Sequence, residues 1–265
     1  MNRVDRARLQ VAFSRGAAGY DSRAVAQATA RDRVAALLER HVPSAGRILD
    51  VGAGTGALAA RLLARRPALR IALADLATGM CQAALAAAPG AAVVRADAEA
   101  LPFRDGSFHA VVSSSTFQWL TRLEPALAEA RRTLEPGGTL VFALFAERTL
   151  RELRGSWLAV AGEAGAGRMH RFFLRDEIVE AVASAGLAPV EVEEEEIVER
   201  HADARAVLRA IRAIGAGNAV PGPAGGGLGG RRVTLAMLDR YDATHGDSRG
   251  VPATYHVVYA VARRP

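Results

Sequence analysis

Short apolar runs recur along the chain, and between them lie longer stretches whose apolar positions return every three or four residues. The runs at 47–54 (ending in a glycine turn), 70–76, 92–99, 109–116 and 139–145 read as buried strands. The stretches at 57–66, 78–88 and 123–134 have helical spacing, and so does 21–41, where Val25, Ala28, Val34, Leu37 and Leu38 supply the apolar face and Asp21 the expected N-cap. Strands that alternate with helices in this way predict a parallel sheet covered on both faces.

Past residue 145 the rhythm changes. Helices are expected at 150–161, 175–185, 204–214 and 231–241, a strand at 189–199 and a final strand at 254–264. The segment 215–230, GAGNAVPGPAGGGLGG, reads as a flexible break inside one domain, because the strand that finishes the sheet lies beyond it. The expected organisation is a single domain over 1–265: a leading helical lid at 1–41, a ligand-binding core at 45–145, further core elements with insertions at 146–250, and the closing strand at 254–264. The acidic run at 193–196 is expected to be a solvated face.

Composition narrows the class. A chain of 265 residues with 50% hydrophobic and 23% charged residues can bury a sizeable core. The one cysteine, Cys81, cannot form a disulfide within the chain and is expected in the core. The net charge is +6, and every basic residue other than histidine is arginine. There is no basic block interleaved with aromatics, so no nucleic-acid partner is expected. No window is apolar enough to span a bilayer, so a cytoplasmic protein is expected. No His, Cys, Asp and Glu cluster has metal-ligand spacing.

The candidate chemistry begins at LDVGAGTGALA, with Gly52, Ala53, Gly54 and Gly56 between a strand and a helix. Such a turn lets a ligand approach the backbone and the N–H groups of the helix start. Two ligands compete for it. A nicotinamide dinucleotide uses G-x-G-x-x-G/A, which Gly52, Gly54 and Ala57 satisfy. S-adenosylmethionine uses a similar loop with glycine where Gly56 stands. Three features favour the latter: Asp75 at the end of the second strand, ADAEALPF (96–103) with Asp97, Ala98 and Glu99 after the third, and LEPGGTL (134–140) before the fifth. An acid at Asp75 can accept from both ribose hydroxyls, and one at Asp97 or Glu99 from an adenine amine.

In combination these motifs resemble the class I S-adenosylmethionine-dependent methyltransferases. The resemblance implies a Rossmann-like α/β fold: a seven-stranded, mostly parallel sheet with helices on both faces, the last strand antiparallel, and helical lid insertions. It also implies S-adenosyl-L-methionine as cofactor, held by Asp50, Gly52, Ala53, Gly54, Gly56, Asp75, Leu76, Asp97, Ala98 and Glu99, with Asp50 near the methionine amine.

The outlying segments carry a narrower resemblance. FSRGAAGYDSRAVAQ (13–27), STFQWL (115–120), RTLRELRGSW (148–157), LRAIRAIGAGN (208–218) and GVPATYHVVYAVARR (250–264) are similar to the malonyl-acyl carrier protein O-methyltransferases of biotin synthesis. The chain departs from that pattern at Ala53, where the family often has cysteine, at Arg148 and at 167–172. The resemblance implies methyl transfer to the free carboxylate of a malonyl thioester on an acidic acyl carrier protein; another small-molecule carboxylate or a quinone precursor is the alternative acceptor. Residues 13–27 are expected to fold over the cleft. Tyr20 and Gln118 are the expected catalytic residues, and Gln27, Trp119, Trp157 and His170 the expected acceptor-binding ones. An arginine should steer the carboxylate, and the sequence does not choose which.

Overall fold

A computed structural model describes residues 5–166, 169–216 and 228–265. Seven strands form one sheet in the order β3-β2-β1-β4-β5-β7-β6. They are β1 (Gly46–Val51), β2 (Leu69–Asp75), β3 (Ala92–Arg95), β4 (Phe108–Ser114), β5 (Leu134–Phe145), β6 (Ala188–His201) and β7 (Val251–Arg263). β1 pairs in parallel with β2 and β4, β2 with β3, and β4 with β5. β7 lies antiparallel between β5 and β6 and is the single reversed strand, as the resemblance implied.

Alternation along the strands builds two cores. Ile48, Ala110, Val112, Val141 and Ala143 face one side, where they meet α3 (Val25–His41), α4 (Ala57–Arg65) and α10 (Leu228–His245). Leu49, Val51, Val111, Leu140 and Phe142 face the other, against α6 (Glu124–Thr133) and α8 (Arg175–Ser184). Central strands are therefore apolar on both faces, which is why they read as continuous runs.

Several boundaries differ from expectation. Residues 21–41 are two helices, α2 (Tyr20–Arg23) and α3, because Ala24 leaves helical geometry at φ −93°, ψ 62°. Asp21 lies inside α2 and is no N-cap; its carboxylate instead accepts from Thr55 Oγ1 at 2.8 Å. The leading segment forms α1 (Arg6–Gly16), capped by the Asp5 side chain on the Arg8 N–H. β3 stops at Arg95, which leaves Asp97 and Glu99 in a turn, and β5 starts at Leu134, ahead of the Gly137 turn. α5 (Thr78–Ala87) covers β2 and β3, and beyond β5 come α7 (Arg151–Ala166), broken at Gly162 (φ 59°), and α9 (Ala204–Ala213). The glycine-rich break at 215–230 falls for the most part outside the described residues.

The acidic run on β6 is an ionic seam. Arg33 and Arg40 of α3 reach Glu193 and Glu191, Arg148 and Arg175 reach Glu194, and Arg151 reaches Glu196. Among the described residues no helix is long and apolar enough to cross a membrane.

Candidate active site

Strand order reverses between β1 and β4, and the carboxyl ends of β1, β2, β3 and β4 open there into one cleft of about 1140 Å3, counting its mouth. This is where an open parallel sheet leaves a crevice. β1 delivers Asp50 and then turns through Gly52, Gly54 and Gly56, all with positive φ (71°, 56° and 79°). A Cβ on Gly52 would stand 2.1 Å from Thr116 Oγ1, and that hydroxyl donates to the Gly52 carbonyl at 3.1 Å. The turn therefore cannot carry a side chain there.

Asp75 holds the turn from β2. Its carboxylate accepts from the Gly54 N–H at 2.9 Å and from the Ala77 N–H at 2.8 Å. Both oxygens are thus oriented, and Asp75 lines the cleft with capacity to accept further hydrogen bonds. Asp50 is buried, and its Oδ2 has no hydrogen-bond partner. Burial first, and the neighbouring Asp75 second, push its carboxyl up to about 7. Burial raises Asp75 as well, against the pull of its backbone hydrogen bonds. An orphaned buried acid beside a second acid suits a ligand that brings an ammonium and two vicinal hydroxyls.

α1 and α2 form the roof. Gly79 of α5 passes so close to α1 that a Cβ would meet the Ser14 carbonyl at 2.4 Å, and Ser14 Oγ accepts from the Gly79 N–H. Leu9, Gln10, Phe13 and Tyr20 line the cleft from this side. Burial, with Asp21 and Asp75 nearby, raises the Tyr20 hydroxyl and keeps it protonated. Arg6 binds Asp97 at 2.7 Å and Glu99 at 2.5 Å, so the acids expected to meet adenine are also the anchors of α1. Asp97 Oδ1 accepts from the Glu99 N–H, which shapes the turn.

The expected site residues divide. Asp50, Gly52, Ala53, Gly54, Asp75, Leu76, Asp97 and Ala98 line the cleft, and so do Tyr20, Gln27 and Trp119. Gly56 backs onto Ala84, and Glu99 turns to Arg6, so neither is part of the lining. Gln118 is buried away from the cleft: its Nε2 donates to the Ser115 carbonyl at 2.7 Å within the short 3-10 turn Phe117–Trp119. His170 sits behind Trp119, ring centroids 4.9 Å apart, with Nε2 2.6 Å from the Gln118 carbonyl. Its burial lowers its basicity and keeps it neutral. Trp157 packs on the core through α7.

Arg6, Gln10, Arg31, Thr55 and Ser115 are cleft residues that sequence reading missed. Arg6, Gln10 and Phe13 share one helical stripe, a signal present in the spacing. Arg31 pairs with Asp21 at 3.2 Å, and its buried Nε, without a hydrogen bond among the described residues, lies 3.9 Å from an Asp32 carboxylate oxygen. Ser115 adopts φ 56°, unusual outside glycine.

Residues 49–142 match the methyltransferase domain family. Along its whole length the chain is similar to curated relatives. It is 49% identical to the malonyl-[acyl-carrier protein] O-methyltransferase of Geobacter sulfurreducens, over 98% of this chain and 100% of that one. It is 40% identical to the enzyme of the same name from Laribacter hongkongensis, over 99% and 90%. Among solved structures, YcgJ of Bacillus subtilis superposes with a TM-score of 0.60 at 15% identity, covering 87% of this chain and 97% of that one. Geranyl diphosphate methyltransferase, solved with GPP and sinefungin, gives 0.55 at 16%, covering 88% and 78%. The strand order, the glycine turn braced by Asp75 and the full-length likeness meet in one conclusion: the chain belongs to the malonyl-[acyl-carrier protein] O-methyltransferase family.

Proposed function

We propose that the protein methylates the free carboxylate of malonyl-acyl carrier protein with S-adenosyl-L-methionine. The observation that carries this reading is the cleft itself, with Asp50, Asp75 and Asp97 at three successive strand ends beneath a roof from α1 and α2. When bound, S-adenosylmethionine would supply an electrophilic methyl on a cationic sulfur; an ionised carboxylate oxygen would bond to it as the methyl–sulfur bond breaks and neutral S-adenosylhomocysteine leaves, so no base is needed.

The chain's residues then bind, orient and exclude water. Asp50 would hold the methionine ammonium, Asp75 both ribose hydroxyls, and Asp97 with Ala98 the adenine. Tyr20, Gln27 and Trp119 surround the acceptor. Arg31 lines the cleft beside Tyr20 and Gln27, which supports it as the guanidinium that receives a carboxylate. Gln118 orders the turn behind Trp119 and is a positioning residue in this reading.

Mass spectrometry of malonyl-acyl carrier protein incubated with enzyme and S-adenosylmethionine tests the reading. The expected product is the methyl ester on the carrier. Methylation of free malonate or of a quinone precursor, with the carrier substrate untouched, would overturn it. Arg31→Gln should raise the KM of a carboxylate-bearing ligand while the fold is retained.

A further inference from the structure

Most arginines among the described residues meet a carboxylate or a carbonyl; of those that do not, several gather at one groove. Arg205, Arg209 and Arg212 lie at i, i+4 and i+7 on α9, so all three share one stripe, and all are exposed. Across a groove, α10 contributes Arg231, Thr234, Leu235 and Leu238, and α9 adds Leu208 to the floor. Among the described residues Arg205, Arg212 and Arg231 have no acidic partner, and Arg209 comes no nearer than 3.9 Å to Asp203. The contrast with α3 is direct, since there Arg33 and Arg40 are matched by glutamates of β6. A row of unmatched guanidinium groups beside an apolar floor is an uncompensated field.

The groove also adjoins the roof of the cleft. Past the end of α9, Gly215 packs on α1: a Cβ there would stand 3.3 Å from the Ala12 carbonyl and 3.3 Å from the Phe13 ring. Gly16 of α1 in turn faces the Ala213 carbonyl. Phe13 lines the cleft. A body seated on α9 and α10 is therefore next to the helix under which the acceptor must pass.

We infer that the α9–α10 groove docks an acidic carrier protein, with Arg205, Arg209, Arg212 and Arg231 meeting its carboxylates and the half-buried Leu208 and Leu235 meeting its apolar contacts. This rests on the proposed acceptor being carried by a protein. Arginine forks suit carboxylates on a helical surface, and exposed charges of this kind act through encounter rate and salt dependence.

The test is binding of labelled holo-acyl carrier protein by fluorescence anisotropy, alongside methyl-transfer kinetics on the malonyl form. The triple variant Arg205→Glu, Arg209→Glu, Arg212→Glu should weaken binding by about tenfold or more and flatten its salt dependence. KM for the carrier substrate should rise in step, with kcat at saturation retained. A control triple, Arg70→Glu, Arg104→Glu, Arg263→Glu, makes the same change in net charge at the end of the sheet where the parallel strands begin, away from the cleft, and should shift binding less than about threefold. Glutamine at the three α9 positions gives a milder series should the glutamate triple fold poorly. Equal weakening by both triples, or wild-type binding that ignores salt, overturns the proposal. Wild-type binding that is lost in the α9 triple, with no ester formed by either protein, leaves the docking face standing and removes the proposed reaction instead.

Discussion

Phe13 meets Trp119 edge to face, with ring centroids 5.8 Å apart at an angle of 67°. One ring belongs to the leading helix and the other to the turn after β4, so the pair spans the cleft and joins its roof to its wall. Such a contact contributes about 0.5–1.5 kcal/mol beyond the area it buries. Phe13→Ala should leave the sheet intact and let the roof open, and adenosylhomocysteine should dissociate roughly three- to tenfold faster. Stopped-flow tryptophan fluorescence reads this directly; an unchanged off-rate would detach α1 from ligand retention.

Tyr20 places its ring 6.3 Å from that of Phe13 and faces the same cleft. Tyr20→Phe keeps the ring and loses only the hydroxyl, and should lower kcat by about tenfold. Tyr20→Ala loses the roof contact too and should lower kcat/KM further. Wild-type turnover in Tyr20→Ala would remove the residue from the site.

Asp50 links ligand binding to pH. Its carboxyl, raised to about 7, is protonated in the free protein below that value, while an ammonium partner requires the ionised form. Affinity for adenosylhomocysteine should therefore rise with pH through about 6 to 8 and level off above, and Asp50→Asn should abolish that slope. The sign for stability is the reverse. With the folded value above the unfolded value of about 3.9, this group lowers the stability of the ligand-free protein as pH climbs from about 4 to 7. Calorimetric titration and thermal melts across that range separate the two effects.

Gly52 is confined by both backbone and space, with φ 71° and Thr116 Oγ1 2.1 Å from any added Cβ. Gly52→Ala should cost roughly 2–4 kcal/mol, from left-handed strain and overpacking together. Combination with Thr116→Ala should recover only part, because Thr116 Cβ itself would remain 2.5 Å away. Denaturant melts of the single and double variants measure both values.

Glu152 is buried on α7 and accepts from the Thr254 N–H at 3.2 Å and the Thr254 hydroxyl at 2.5 Å, which ties that helix to β7. Glu152→Ala leaves two buried donors unmatched and should destabilise the fold by about 2–4 kcal/mol. A loss below 1 kcal/mol in a melt would mean that water replaces the acid.

The strands, the glycine turn, and the acids at the ends of β1 and β2 were legible in the sequence, since each depends on local signals: apolar runs buried on both faces, glycines where φ must be positive, a carboxylate at a fixed interval. The rest depends on contacts between distant segments. Gln118, expected to be catalytic, and Trp119, expected to bind the acceptor, are neighbours in one short turn. Packing sends the amide inward to the Ser115 carbonyl and leaves the indole toward the cleft. The acids on β6 look like a solvent-facing run until α3 lays Arg33 and Arg40 across them. Arg6 becomes a site residue only because α1 folds back on α5 and carries its guanidinium to Asp97. A local pattern records what each residue offers. Which partner accepts the offer is set by the sheet order, which brings remote side chains within a few ångströms of one another.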